Sequence, residues 1–418
     1  MTRLACAKLL GRLSKNQRGS IAIIAAVSLP AMLGFGALAV DASLWLRAKN
    51  GVQGAADAAA SSVGAAAVGG SSAAHKLAEA QGVAAANGYQ NGVNGVTVSM
   101  NNPPTSGAYA GNPLAYEVIV TAPQQLYLAR VLDGITAPTV TGRAVALTTT
   151  SPTCLLAMEY IVGIDFTVNG NAPLNAQNCD VDSDSTGPNS VNTNGGGSIS
   201  ATNVRTMGGV SGDITVTGKI VTNGPYIADP YAGTRSIPTI PAYQSSSKNN
   251  WSGSVANPTG VIAYNGDVRV NGSASLAAGV YIIANGSLNV TGSLSGTGVT
   301  IVLTSPTPAS DNGVFSFTGK ASINLTAPTT GSTAGIALWA DGQLPIKDDK
   351  LTGSGTMSIN GAIYLPSHTI TYAGNGGNAP SCTQIVAQQI KVTGTSLFKH
   401  QCAGAGTLDP QVTWALVE

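Results

Sequence analysis

The stretch VRVNGSASLAAGVYIIANGSLNVTG, residues 268–292, contains two copies of a five-residue pattern: apolar, any residue, apolar, Asn or Thr, Gly. The pattern occurs seven times, as FTVNG (166–170), ITVTG (214–218), VRVNG (268–272), LNVTG (288–292), FSFTG (315–319), MSING (357–361) and IKVTG (390–394). Each copy predicts a short strand with two inward side chains, closed by a Gly with positive φ that turns a corner.

The spacing of the copies predicts how these strands associate. The copies that start at 268 and 288 are 20 residues apart, and those at 288 and 315 are 27 apart, which is the length of one turn in a stacked repeat. We therefore expect residues 151–418 to form a Gly/Asn-rich parallel β-helix of about ten turns, right-handed like most parallel crossovers, which makes the chain mainly β. The alternative fold is a β-sandwich.

Charged side chains are scarce throughout the chain. Lys, Arg, Asp and Glu make 20 + 19 = 39 of 418 residues, or 9%, against about 25% in an ordinary soluble domain. The net charge of +1 gives no basic surplus for nucleic acid, so we expect no nucleic-acid partner. The 43% hydrophobic content supports a folded core instead of a disordered chain.

The N-terminus has the pattern of a membrane anchor. Five basic residues precede the uncharged stretch SIAIIAAVSLPAMLGFGALAV (20–40), and the first acidic residue is Asp41. Twenty-one helical residues measure about 31 Å, close to the hydrocarbon thickness of a bilayer. Because cytoplasmic flanks collect Lys and Arg, residues 1–19 are expected in the cytoplasm, 20–41 in the membrane and the remainder outside it.

Two processed forms are alternatives to an uncleaved anchor. A secretory signal would be cut near Ala37-Leu38-Ala39, and a prepilin-type signal would be cut at Gly19. The prepilin form needs an acidic residue four or five positions after Gly19, where the chain has Ile23 and Ile24. An uncleaved, single-pass anchor is therefore favoured.

Residues 42–94 are rich in Ala and predict two helices outside the membrane. Trp45, Val52, Ala59 and Ala66 recur every seven residues and give the first helix a narrow face that suits another helix nearby. A stalk with no partner is the alternative. Residues 95–150 predict a small α+β region, with strands at 96–100, 115–122 and 140–150 and a helix at 123–135.

Residues 18–68 resemble the N-terminal module of the Flp pilus-assembly TadE/TadG-like proteins of the bacterial tight-adherence system. The resemblance is carried by Arg18-Gly19 before an apolar helix, Pro30 within it, Asp41 at its outer end, and Gln53 with the Asp57-Ala-Ala run. It implies an inner-membrane anchor with a large exported domain, of the TadG-like branch, acting in assembly and not as an enzyme. Its partners would be other pilus-assembly membrane proteins or pseudopilins.

Polar groups on the Ala-rich helix are the predicted partner contacts, namely Trp45, Gln53 and Asp57. A polar side chain on a face of small residues can fix the register of a contact that packing alone discriminates weakly. The exported domain is expected in the periplasm or at the cell surface. A surface adhesin or carbohydrate-binding β-helix protein, with a surface glycan as partner, is the alternative function.

Four cysteines lie in the exported part: Cys154, Cys179, Cys382 and Cys402. Four cysteines allow three connectivities in an oxidising compartment. The sequential connectivity, with loops of 25 and 20 residues, would clasp the two ends of the repeat region. The cysteines do not show the CxxC spacing that is typical of a metal site.

Candidate chemistry is sparse, and no cofactor is expected. Asp180, Asp182 and Asp184 alternate as in a calcium loop, but Ser185 and Val191 stand where an EF-hand has Gly and Glu. A solvated face is the alternative for these carboxylates. A polysaccharide lyase or hydrolase is the third function considered, because the loop 340–350 carries Asp341, Asp348 and Asp349 between strands.

Overall fold

The computed structural model describes residues 18–128, 136–163, 165–171, 173–308, 313–373 and 382–418. The chain is mainly β and divides into two compact units. The first unit comprises the chain up to Ala67, Ser71–Thr148 and Trp414–Glu418, and the second comprises Val68–Gly70 and Thr149–Thr413. Residues 414–418 therefore belong to the first unit, whereas the sequence analysis groups them with the repeat region.

A single long helix, α1 (Arg18–Val68), begins the described chain. It joins the predicted membrane span and the first Ala-rich helix without a break, and Pro30 lies inside it. The helix is long and apolar enough to cross a membrane. The second helix, α2 (Ala73–Ala86), begins after Ser72, whose hydroxyl accepts a hydrogen bond from the His75 amide at 3.2 Å.

The first unit contains a four-stranded antiparallel sheet. Its order is β1 (Thr97–Asn101), β2 (Ala115–Pro123), β3 (Thr139–Thr150) and the C-terminal strand Gln411–Leu416. The first three strands match the predictions. The predicted helix 123–135 is not formed at its start, where Pro123 ends β2, and residues 129–135 lie outside the described residues.

The C-terminal half of α1 covers one face of this sheet. The buried side chains of the unit's core are Val52, Ala56, Ala59, Ala60 and Val63 from α1, with Val98, Val118, Val120, Ala144 and Ala146 from the strands. At Gly142 of β3, a Cβ would lie 2.5 Å from the Val52 carbonyl oxygen. Glycine is therefore required for the helix and strand to approach this closely.

The second unit consists of short strands. In chain order they are β4 (Thr153–Ala157), β5 (Phe166–Asn169), β6 (Pro173–Gln177), β7 (Asp180–Ser183), β8 (Val191–Asn194), β9 (Ser198–Ala201), β10 (Val204–Thr206), β11 (Val210–Ser211), β12 (Asp213–Val216), β13 (Ile220–Val221), β14 (Gly253–Val255), β15 (Val261–Asn265), β16 (Val268–Val270), β17 (Ser273–Leu276), β18 (Gly279–Ala284), β19 (Leu288–Val290), β20 (Ser293–Thr297), β21 (Val299–Thr304), β22 (Phe315–Phe317), β23 (Ser322–Thr326), β24 (Ile336–Ala340), β25 (Asp348–Leu351), β26 (Met357–Ala373), β27 (Thr383–Thr393) and β28 (Ser396–Lys399). A short 3-10 helix, Ser246–Asn249, precedes β14.

These strands pair in parallel and form three ladders. Ladder 1 runs β15-β18-β21-β24-β26-β27-β4-β7-β10-β13. Ladder 2 runs β16-β19-β22-β25-β26-β27-β5-β8-β11. Ladder 3 has two described parts, β14-β17-β20-β23-β26 and β28-β6-β9-β12. Parallel pairing does not fit the β-sandwich alternative, whose sheets are antiparallel.

Copies of the five-residue pattern pair with one another, so the pattern predicts which residues lie opposite each other in these ladders. Five copies lie in ladder 2, where Val270 pairs with Val290, Val290 with Phe317, and Val392 with Val168. The spacings of 20 and 27 residues are thus confirmed as the distances between paired strands. The copies at 214–218 and 357–361 lie in ladder 3 instead.

The glycines that end the copies act in two ways. Gly170, Gly319, Gly361 and Gly394 have positive φ, as predicted. Gly218, Gly272 and Gly292 do not, and the prediction is wrong there. A Cβ at Gly292 would lie 2.0 Å from the carbonyl oxygen of Gly272, so this glycine permits close stacking of two backbones.

The order of the strands in the ladders differs from their order in the chain. Strand β27, near the end of the unit, pairs on one side with β26 and on the other with β4 and β5. The first strands of the unit therefore lie within the ladders, beside the last ones. As a result the two chain ends of the unit meet, and the Ser151 amide donates to the Pro410 carbonyl at 3.2 Å.

Candidate functional site

The N-terminal half of α1 presents apolar side chains that nothing in the described chain covers. Val27, Met32 and Phe35 are 72%, 71% and 75% exposed. Exposed apolar side chains on this scale are unfavourable in water and are typical of a membrane or partner contact. This segment, residues 24–40, is called the exposed apolar segment below.

Asp41 lies directly after the exposed apolar segment and holds the loop that follows β2. Its side chain is fully buried. Its carboxylate accepts hydrogen bonds from the amides of Tyr127 and Leu128, at 3.2 Å. One turn further along α1, the Trp45 indole donates to the Gln125 carbonyl at 3.3 Å. Asp41, one of the residues that carry the family resemblance, therefore joins the helix to this loop.

Gln53 and Asp57, predicted to contact a partner, contact the chain's own sheet or each other. The Gln53 amide donates to the Arg143 carbonyl of β3 and to Asp57 Oδ1, each at 2.7 Å, and its oxygen accepts from the Arg143 amide at 3.2 Å. The narrow face predicted for another helix is likewise covered by this sheet. Gln53 thus fixes the register of α1 inside the unit.

A second set of charged groups lies beside this contact, and of these Glu117 is fully buried. Arg143 pairs with Glu117 and with Glu418. Burial favours the neutral form of Glu117, but hydrogen bonds from Asn101, Arg143 and Thr105 outweigh it and lower its pKa to about 2. The C-terminal residue is in this way part of the first unit.

The alternating acidic residues of β7 form an ion-pair network. Arg205 of β10 donates to Asp180 at 2.7 Å and to Asp182 at 2.8 Å, and both carboxylates are buried. Burial raises the pKa of Asp182 to about 6, against the opposing charge of Arg205. Asp184 instead accepts from the Ile227 amide at 2.9 Å. Across the described ranges no group of three His, Cys, Asp or Glu side chains could hold a metal ion.

The sequential disulfide pairing is confirmed. Cys154 is bonded to Cys179, and Cys382 is bonded to Cys402. The disulfides were predicted to clasp the two ends of the repeat region. They do lie near its two ends in the sequence, but in the folded unit β27 pairs with β4, so the two disulfides are not at opposite ends of the ladders. Both disulfides therefore lie beside the middle of ladder 1: Cys154 belongs to β4, and Cys382 directly precedes β27.

The adjacent acidic residues of the loop 340–350, Asp348 and Asp349, do not share a surface. Asp349 is buried in β25, where it accepts from the Phe315 amide at 2.6 Å and pairs with His368 at 2.7 Å. Asp348, its neighbour, is exposed. Alternation along the strand sends the two carboxylates in opposite directions, so they cannot act together on one substrate.

Asp165 is a buried carboxylate that the sequence pattern does not predict. Its side chain is fully buried, and neither oxygen has a hydrogen-bond partner among the described residues. Burial, together with the charges of Glu159 and Asp184, raises the pKa of Asp165 to about 8. Since it precedes the FTVNG copy and resembles any polar loop residue, the sequence carries no signal of this burial.

A cavity of about 490 Å³ lies beside β14 and β15, where the ladders begin. Its wall combines amide and hydroxyl side chains with an aromatic group, and Lys248 is the one charged residue among those that line it. Trp251 packs edge-on against Tyr264 and Tyr281, with ring centroids 5.4 and 5.5 Å apart. No sequence pattern predicts this cavity, because its residues fall between copies of the five-residue pattern.

Comparison with known proteins gives one result for the first unit. Residues 19–67 match the Flp pilus-assembly TadE/G-like family, which confirms the resemblance seen in the sequence. The match spans the exposed apolar segment and the part of α1 that covers the sheet. No curated protein and no solved structure matches the chain.

Proposed function

We propose that this chain is a membrane-anchored structural component of a bacterial Flp (Tad) pilus-assembly system. The observation that carries the proposal is the family match over 19–67, which coincides with a helix whose apolar side chains are exposed. Such a helix needs lipid or other membrane helices around it. The role proposed is placement and assembly, not catalysis.

The same proposal gives the chain a topology. Residues 1–19 lie in the cytoplasm, 20–41 cross the inner membrane once without being cleaved, and the sheet of the first unit and the whole second unit are exported. The basic residues before the span support this orientation. The two disulfides support an oxidising compartment.

We further propose that the second unit is a parallel β-helix, right-handed by the general preference of parallel crossovers. Its support is the three parallel ladders, with strands that follow each other from ladder to ladder along the chain. A unit of this kind is an inert, rigid projection.

Partners would bind the exposed apolar segment, since the Ala-rich face of α1 is already covered. A photo-crosslinking residue at Phe35, 75% exposed, should yield adducts with other pilus-assembly membrane proteins or pseudopilins. The same residue at Tyr160, 62% exposed in the second unit, is the matched control. Full piliation in a strain that lacks the chain, or adducts from Tyr160 alone, would refute the proposal.

The topology has its own test. Cys6, the cysteine outside the two disulfides, should not react in spheroplasts with a membrane-impermeant maleimide. A Ser247→Cys variant, at an exposed position of the second unit, should react fully. Equal labelling of both thiols in sealed spheroplasts contradicts the proposed orientation.

Saccharide binding is the second candidate function, and the cavity beside β14 favours it. The amide and hydroxyl side chains along its wall suit the hydroxyl groups of a sugar. If a glycan binds there, Asn250→Ala and Lys248→Ala should weaken its retention on a glycan array, whereas Lys320→Ala, at an exposed site elsewhere, should not. Binding that all three variants retain equally, or no binding to any glycan, excludes this cavity as the site.

A further inference from the structure

The loop between β2 and β3 is fixed to α1 at one level of the helix. It is attached through Asp41 and Trp45, which lie one helical turn apart on the same side. The backbone amide of Gln124 also donates a hydrogen bond to the Pro138 carbonyl at 2.9 Å. Residues 124–128, called the loop tip below, therefore have a defined position along α1.

This position coincides with the outer end of the uncharged stretch. Asp41 is the first residue after 20–40 that carries a charge. A carboxylate at the edge of the hydrocarbon needs donors, because lipid offers none. The amides of Tyr127 and Leu128 supply them, and their side chains are left 57% and 48% exposed.

The chemistry of the loop tip suits the boundary between lipid and water. Its sequence, QQLYL (124–128), contains no charged residue. Tyrosine and tryptophan are enriched at membrane interfaces, where the ring is in apolar surroundings and its polar atom is hydrated. Trp45 lies at the same level, joined to the loop by its indole.

We propose that the loop tip is a membrane-surface contact, inserted at the outer face of the same bilayer that α1 spans, with Asp41 as the residue that positions it. The inference rests on the proposed function, because it requires α1 to span the membrane. The occupant of the exposed side chains is lipid, since the loop tip continues the apolar surface of the span. A spanning helix with a second contact beside it is restricted in tilt and rotation.

The test uses the full chain in vesicles of phosphatidylethanolamine and phosphatidylglycerol. In a Cys6→Ser background, an environment-sensitive fluorophore is attached to Tyr127→Cys, or to Tyr160→Cys as the exposed control. Nitroxides on lipid headgroups should remove most of the fluorescence at position 127, and iodide in the water should remove little. At position 160 the result should be the reverse.

A third label, on Phe35→Cys, separates the two proposals. If nitroxides on the acyl chains quench position 35 but no lipid nitroxide quenches position 127, the loop contact is refuted and the membrane span stands. If position 35 is not quenched, the span itself fails. Asp41→Ala should abolish the lipid quenching at 127 while that at 35 persists, whereas unchanged quenching at 127 would refute the positioning role of Asp41.

Discussion

Arg205 offers the most direct test of how the second unit is held together. Replacement by Met keeps the aliphatic length but leaves Asp180 and Asp182 buried without a cation. Both carboxylates are at most 1% exposed, and the guanidinium lies 2.7 and 2.8 Å from them. Removing one partner of a buried ion pair costs about 3 to 5 kcal/mol, so we expect a loss of this size in the free energy of unfolding at about pH 7.5.

The matched control is Arg269→Met. Arg269 lies 3.5 Å from Asp267, and the two side chains are 56% and 45% exposed. A pair this exposed contributes less than about 1 kcal/mol. The assay is denaturant unfolding of the full chain in detergent, followed by tryptophan fluorescence.

The pH dependence makes the test specific. Burial raises the pKa of Asp182 to about 6 even beside Arg205, so the pKa of Asp182 rises further without the cation. Because the pKa of this carboxyl is higher in the folded than in the unfolded protein, the free energy of unfolding falls as the pH rises above the unfolded-state pKa. The loss in Arg205→Met should therefore shrink as the pH falls to about 5, and Asp180→Asn with Asp182→Asn should rescue the variant. A loss no larger than that of Arg269→Met, or one independent of pH, would refute the reasoning.

Three further predictions concern stability. Replacing Cys382 and Cys402 by Ser opens a 20-residue loop and should cost about 3 kcal/mol in the chain-entropy model, measured by thermal unfolding, with Cys6→Ser unchanged. Because burial raises the pKa of Asp165 to about 8, the wild type should lose stability as pH rises from about 4 to 8. Asp165→Asn should reduce that slope in a pH series of melting temperatures and leave the part due to Asp184, whose pKa burial also raises to about 8, whereas Asp213→Asn, exposed in β12, should leave the whole slope. Removing divalent cations with a chelator should leave the melting temperature unchanged, because an arginine already neutralises the acidic alternation of β7; a fall on chelation would instead restore the calcium interpretation.

The sequence predicts local features of the fold well because these depend on neighbouring residues. The seven copies mark strands, and Ser72 marks the start of α2. Spacings of 20 and 27 residues identify strands that pair in parallel. Period-two alternation and helix caps are properties of a few residues in succession, so one chain suffices to find them.

What the sequence does not predict are contacts whose partner could be any apolar surface. The Ala-rich face of α1 has the same pattern whether another helix or the chain's own sheet covers it. A glutamine at position 53 looks the same in the sequence whether its side chain forms hydrogen bonds with a partner protein or with Arg143. The pairing of β27 with β4 joins strands more than two hundred residues apart, and no local pattern specifies it.

The last residues of the chain complete both units. Strands β27 and β28 supply the hydrogen-bonding neighbours of β4, β5 and β6, and Gln411–Leu416 supplies the edge strand of the first sheet. During synthesis, then, β4, β5 and β6 have an unpaired edge until β27 and β28, more than two hundred residues later, have been made. A premature stop codon before β27 would therefore leave the edges of β4, β5 and β6 without a partner, and such edges invite aggregation and degradation.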